Sequence, residues 1–346
     1  ALVNAMGDVG AGIFELASEE PGRKPERQKE YFDRLKNLAV ESGRPVTFGM
    51  PSVRVAPELF RGYYELANET AAAGGRMFVQ THSRSISTLL SFNSHTPFDA
   101  WEFWSEIRSK PLDEQKRLMA DPNVKRRMVD VASAPYNGPK IVGAEPRPPE
   151  WDWVYLFDGI GDETQMSEVG ARRGVHPAEA MIDIALERDF DVFFRQPLAN
   201  ENQDYVLEMM RHPRSVVTFS DSGAHVAQIM DSSLQTHLLS HWVRDKQAFS
   251  LEEAVRLITF DTASAWGLHD RGLIREGLNA DLVVFDPNTI DQNMPELLND
   301  LPAGAARLKQ TAKGIRATIV NGKVLLRDNE PTGDLPGRLV RGPLAQ

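Results

Sequence analysis

The chain has no cysteine among its 346 residues. That excludes disulfides, a thiolate nucleophile and any thiolate-ligated metal, and it fits a cytoplasmic protein. No apolar run approaches the roughly 20 residues that span a bilayer, and no signal-peptide pattern opens the chain. Positive charge is in short supply too: 39 Lys and Arg stand against 49 Asp and Glu, for a formal net charge of -10. Nucleic acids and acidic membranes need a basic face, so neither is an expected partner. Several catalytic signatures are also missing. There is no GxSxG elbow, no GxxxxGK[ST] loop and no HExxH. The glycine pairs Gly10-Ala-Gly12 and Gly159-Ile-Gly161 lack the rest of a dinucleotide fingerprint.

What is present is an ordinary globular composition, 41% hydrophobic and 25% charged, which predicts a packed core in one large α/β domain or two smaller ones. The first 85 residues read as strand, helix, strand, helix, strand, over residues 13–17, 31–41, 44–48, 57–73 and 76–81. Strands separated by helices of ten or more residues imply a parallel sheet with right-handed crossovers. Residues 85–148 read differently, as helical pieces at 97–108, 112–120 and 123–131 laid over one end of that sheet. Further strands are expected at 151–157, 191–195 and 216–219, and helices at 169–174, 177–186 and 201–212. Helices are also expected at 234–244 and from Ser250, where Ser250 and Glu253 form a capping box. From about residue 273 the pattern becomes antiparallel, with strands at 278–286, 315–320 and 323–327 and Asn321-Gly322 as a hairpin turn.

The stretch Ser215-Val-Val-Thr-Phe-Ser-Asp-Ser-Gly-Ala-His225 organises the chemistry. A buried strand opens there into a polar turn, and in parallel α/β proteins strand C-termini face the active site. Asp221 in that turn is a metal ligand, a general base, or a helix cap. His225 follows it by four residues. His82 stands at another strand end, placed for a metal or a substrate, and Arg84 beside it is suited to clamp a substrate carboxylate. His237 and His241 share one helical face, a spacing compatible with a metal but more often found in structural histidines.

Four segments carry a family resemblance: Phe219-Ser-Asp-Ser-Gly-Ala-His225, Ser250 to Thr259, Thr262-Ala-Ser-Ala-Trp-Gly-Leu268 and Arg271 to Asp286. In these the chain resembles the amidohydrolase superfamily, specifically its N-acyl-D-amino-acid deacylase (D-aminoacylase-like) group. The resemblance implies a (β/α)8 TIM-type barrel with a β-sandwich. Here the barrel would be partial, its N-terminal strands missing, over residues 1–272 with a helical insertion around 85–150. Residues 273–346 would be the sandwich portion and tail. It also implies a metal-dependent hydrolase of amide bonds that uses one or two divalent ions, usually zinc, to activate water. Asp221 matches the family's eighth-strand aspartate, as base and ligand. His82 is then a second ligand, counted to the sixth strand, and Arg84 and His225 line the pocket. The expected partner is a small N-acyl amino acid or related amide, with a homo-oligomer possible. The alternatives are a catalytically inactive binding or scaffolding relative and a hydrolase of cyclic amides. Two departures stand out. The family's His-x-His is absent, which reads as a C-terminal portion of a larger enzyme, and the strand at 44–48 runs into Gly49-Met50 where a ligand histidine is expected.

Overall fold

The computed structural model describes residues 1–17, 19, 24–135, 149–220, 222–229 and 231–341. After an opening helix α1 (Leu2–Val9), the chain lays down β1 (Phe14–Glu15), α2 (Pro25–Ser42), β2 (Val46–Gly49), α3 (Leu59–Ala72) and β3 (Met77–Thr81). Proline at the start of α2 and a left-handed Gly43 at its end bound that helix. Its Tyr31, Leu35 and Ala39, spaced four apart, form the buried stripe. β1, β2 and β3 pair in parallel, as the alternation predicts. Met77 and Val79 pack with residues of α2 and α3 in one hydrophobic core. Strand alternation sends Thr47 and Gln80 to the opposite face.

The chain then leaves this sheet for more than a hundred residues. β4 (Ile86–Leu90) leads to helices α4 (Glu102–Arg108), α5 (Leu112–Ala120) and α6 (Pro122–Ser133), close to the three helices expected. A short 3-10 turn at Trp151–Trp153 precedes β5 (Tyr155–Gly159), β6 (Asp162–Gln165), α7 (Met166–Arg173), α8 (Pro177–Glu187) and β7 (Phe193–Ala199). These four strands form an antiparallel sheet in the order β4-β7-β5-β6. The excursion is therefore a mixed layer with a core of its own, around Phe92, Phe98, Trp104 and Phe194. β4 escaped the sequence reading because all five of its residues are buried, which leaves no alternation to detect. The strand expected at 191–195 belongs to this layer and not to the parallel sheet.

After α9 (Gln203–Arg211), β8 (Ser215–Val217) returns and pairs in parallel with β3, so the first sheet runs β1-β2-β3-β8. α10 (Leu234–His237) passes straight into a wider π-helical stretch, Leu238–Asp245. α11 (Leu251–Arg256), with its capping box at Ser250 and Glu253, does the same at Leu257–Asp261 before α12 (Thr262–Ala265). β9 (Leu282–Phe285) opens the antiparallel end of the chain. It is followed by β10 (Asp291–Gln292), β11 (Glu296–Leu298), β12 (Arg307–Lys309), β13 (Ala312–Lys313), β14 (Ile315–Val320), β15 (Lys323–Arg327) and β16 (Glu330–Pro331). The largest sheet here is β16-β15-β14-β9, and β10 pairs with β13 and β11 with β12. Asn321 and Gly322 both take positive φ, the tight hairpin turn their sequence calls for.

Candidate strand-end site

The parallel sheet brings together side chains far apart in sequence. Gln80 on β3 is the centre of a polar row that crosses the sheet. Its Nε2 donates to Glu15 Oε1 on β1 at 2.7 Å and lies 3.4 Å from Thr47 Oγ1 on β2. Its Oε1 accepts from Thr218 Oγ1, just past β8, at 3.2 Å. A buried amide with both ends bonded is held in one orientation, and that makes the row a rigid floor. Pairing continues beyond β8, since the Phe219 N–H donates to the Thr81 carbonyl at 3.2 Å. The ends of β3 and β8 therefore open side by side, with His82 at one and Ser220 at the other. The Ser220 and Ser222 hydroxyls are 3.1 Å apart. Asp221 lies outside the described residues.

His82 is fully buried, and its Nδ1 accepts the Arg84 N–H at 3.0 Å. In a neutral imidazole the other nitrogen then carries the proton, so in this tautomer Nε2 offers no lone pair to a metal. Among the described residues no other strand of the parallel sheet lies between β3 and β8, so His82 ends the strand next to the one that leads to Ser220. β2 ends at Gly49. A Cβ at Gly49 would sit 2.6 Å from two carbons of the Phe219 ring. Phenylalanine fills the space where the resemblance expects a ligand histidine. Among the described residues no three or more His, Asp or Glu side chains are grouped to hold a metal ion. The described side chains thus do not fit a metal centre.

Arg84 points elsewhere. It is buried, and its Nη1 donates to Ser233 Oγ at 3.0 Å. It lines a cavity of about 380 Å³ between the antiparallel sheet, the helix running from Leu234 to Asp245, and β10. His237 and His241 share that wall, with rings stacked 4.8 Å apart. Burial, before the nearby Arg84, His241 and His82, holds the His237 imidazole well below the usual histidine range, and burial also lowers His241. Both rings are neutral near pH 7. His225 is apart from this cavity. It is exposed at φ 48 and its carbonyl accepts from the N–H groups of Gln228 and Ile229. Arg84 and His225 thus do not line one pocket. The importance of Gln80, His237 and His241 was hidden from sequence: only the i,i+4 spacing of the histidines hinted at a shared face.

Residues 158–326 match the sequence pattern described as the amidohydrolase family. An N-acyl-D-aspartate deacylase from Alcaligenes xylosoxydans xylosoxydans is 30% identical over 186 residues, covering 53% of this chain and 32% of that protein. A D-aminoacylase from the same organism is 36% identical over 103 residues, covering 30% of this chain and 19% of that protein. Among solved structures, a D-aminoacylase described by its binuclear metal centre superposes with a TM-score of 0.52 at 18% identity. The match covers 96% of this chain and 56% of that one. The chain thus spans about a third or less of these curated relatives, and about half of the solved structure.

Proposed function

With residues 158–326 matching the sequence pattern of the amidohydrolase family, we propose that this chain carries the strand-end part of the active site of a hydrolase that cleaves the amide bond of a small N-acyl amino acid. The observation that supports it most is the side-by-side opening of β3 and β8, where Thr218, just past β8, is bonded to Gln80 in the buried polar row. In this reading Asp221 is the general base. It takes a proton from the attacking water as the amide carbonyl becomes tetrahedral, and returns it to the departing amine nitrogen. Gln80, through Thr218, holds the strand that delivers Asp221. The parallel sheet is part of a (β/α)8 barrel over residues 1–272, interrupted at about 86–199 by the mixed layer, and residues 273–346 belong to a β-sandwich. His225, on the exposed turn that follows, meets the substrate at the rim.

A divalent metal such as zinc is the family's usual activator of water. Asp221 is the side chain of this chain that would meet it. No step is assigned to it here. The Gly49–Phe219 contact favours a second reading, a relative that binds an N-acyl amino acid without hydrolysing it. One assay separates the two. Release of free amino acid from a panel of N-acetyl-D-amino acids is measured for the protein and for Asp221→Asn, with metal content by mass spectrometry alongside. A loss of about 10²-fold or more in the variant is expected for a missing general base. Hydrolysis that is undetectable in both, with binding of the same compounds retained, turns the assignment to the binding protein.

A further inference from the structure

At the end of the parallel sheet opposite His82, the starts of β3 and β8 border a cavity of about 700 Å³. The end of α9 and the turn after it, α11, and the π-helical stretch Leu257–Asp261 complete its wall. The charged residues of that wall are Arg76, Arg211, Arg214 and Arg256 against Glu253 and Asp261. Four guanidiniums less two carboxylates make a local charge of +2, in a chain whose net charge is -10. Both carboxylates are already engaged. Asp261 pairs with Arg256 at 3.0 Å, and Glu253 accepts from the N–H and the hydroxyl of Ser250 in the capping box.

The other three arginines are in no ion pair among the described residues. Arg76 Nη2 donates to the carbonyls of Ser264 and Ala265 at 2.8 and 2.5 Å, and Arg211 Nη2 to the Ala248 carbonyl at 2.7 Å. A guanidinium has five N–H donors, so Nε and Nη1 of both remain, together with the whole of Arg214. Burial, and after it the charge of Arg44, lowers the Arg76 guanidinium from its ordinary value, as befits a cation with no carboxylate at hand. Between the charges the wall is apolar, with Phe78, Met210, Phe249 and Leu257. Arg76 lies over the Phe78 ring and Arg211 over the Phe249 ring, 6.0 and 5.5 Å from their centroids. Each of these charges is thus held against an aromatic face. The volume is that of a small-molecule site, far more than an inorganic ion fills.

We propose that this cavity binds a small organic dianion with an apolar body, its carboxylate or phosphate oxygens taken by Arg76, Arg211 and Arg214 and its body by Phe78 and Phe249. The guanidinium fork matches both kinds of oxygen pair. The cavity shares no residue with the strand-end site, so the assignment stands whether or not that site hydrolyses an amide.

The test is a calorimetric titration of the 346-residue chain at low salt with phenyl phosphate and with isophthalate. Saturable binding of at least one is expected, weakening as salt is added. Whichever binds more tightly assigns the anion as a phosphate or a carboxylate. Phenol keeps the ring without the charge, and inorganic phosphate keeps the charge without the ring; both should bind more weakly. Arg211→Gln and Arg214→Gln should each lower the affinity about tenfold or more, as for lost hydrogen bonds to a charged group. Arg126→Gln, on the exposed face of α6 in the inserted layer, should leave it unchanged. An unchanged melting temperature certifies the fold of each variant. No saturable binding of either probe, inorganic phosphate binding as tightly as phenyl phosphate, or an affinity that survives both cavity variants overturns the assignment, as does an equal loss in Arg126→Gln.

Discussion

At the scale of single residues, the parallel sheet depends on contacts that leave no slack. Gly49 lets the Phe219 ring lie against β2, and a methyl group there enters the van der Waals space of two ring carbons. Gly49→Ala is expected to destabilise the protein by about 1–3 kcal/mol through overpacking. Adding Phe219→Leu should recover much of that loss in denaturant titrations, since the smaller side chain gives way. Gln80→Leu is expected to lower stability similarly, because it strips partners from Glu15, Thr47 and Thr218 at once. Histidines set the response to acid. Burial leads in holding His176, His212, His237 and His241 below the ordinary histidine value. The unfolded chain therefore takes up protons as pH falls through about 6.5 while the folded chain does not. These four contribute full stability above that pH and lose it progressively below. Melting temperature should fall between pH 7.5 and pH 5, with a shallower slope in His237→Gln. An unaltered slope would mean that the buried pair does not stay neutral in the fold.

At the scale of elements, local signals and long-range pairing carry different information. The capping box of α11 was readable from Ser250 and Glu253, and both of its hydrogen bonds form, at 3.2 and 2.8 Å. Ser250→Ala should cost about 1 kcal/mol, measured as a drop in thermal stability. The strands β14 and β15 and the turn between them were equally legible, because alternation and Asn-Gly chemistry act over a few residues. The adjacency of β3 and β8 was not. Their registered residues, Val79 and Ser215, are separated by the whole mixed layer, and nothing local marks which strand a returning chain will join. The π-helical stretches at Leu238–Asp245 and Leu257–Asp261 were read as ordinary helices, because their apolar spacing is nearly the same as an α-helix's.

At the scale of the whole molecule, two large hydrophobic cores divide the described residues, with a small third cluster at Leu89 and Phe157. One joins the parallel sheet to the helices on both sides of it in sequence, and the other belongs to the inserted layer. Beside them lies an apolar groove of about 800 Å³ bordered by β9, where Val283 is 56% exposed and Ile274 91% exposed. β9 is also the outer strand of its sheet. An unpaired edge beside an apolar groove favours self-association. The isolated 346-residue chain should sediment as concentration-dependent oligomers, and Val283→Lys should reduce them. A monodisperse monomer at all concentrations would count against this.

The sequence by itself determined the elements whose causes are local: the parallel α/β opening, the caps, the hairpin, and the polar turn at a strand end. These follow from periodicity, turn residues and side-chain chemistry acting over a few positions. Only the tertiary structure decided which strand ends meet, that Phe219 fills the space beside Gly49, and that His237, His241 and Gln292 line one cavity. Those outcomes depend on burial and on contacts between distant segments, whose free energy is realised only when the whole chain has packed.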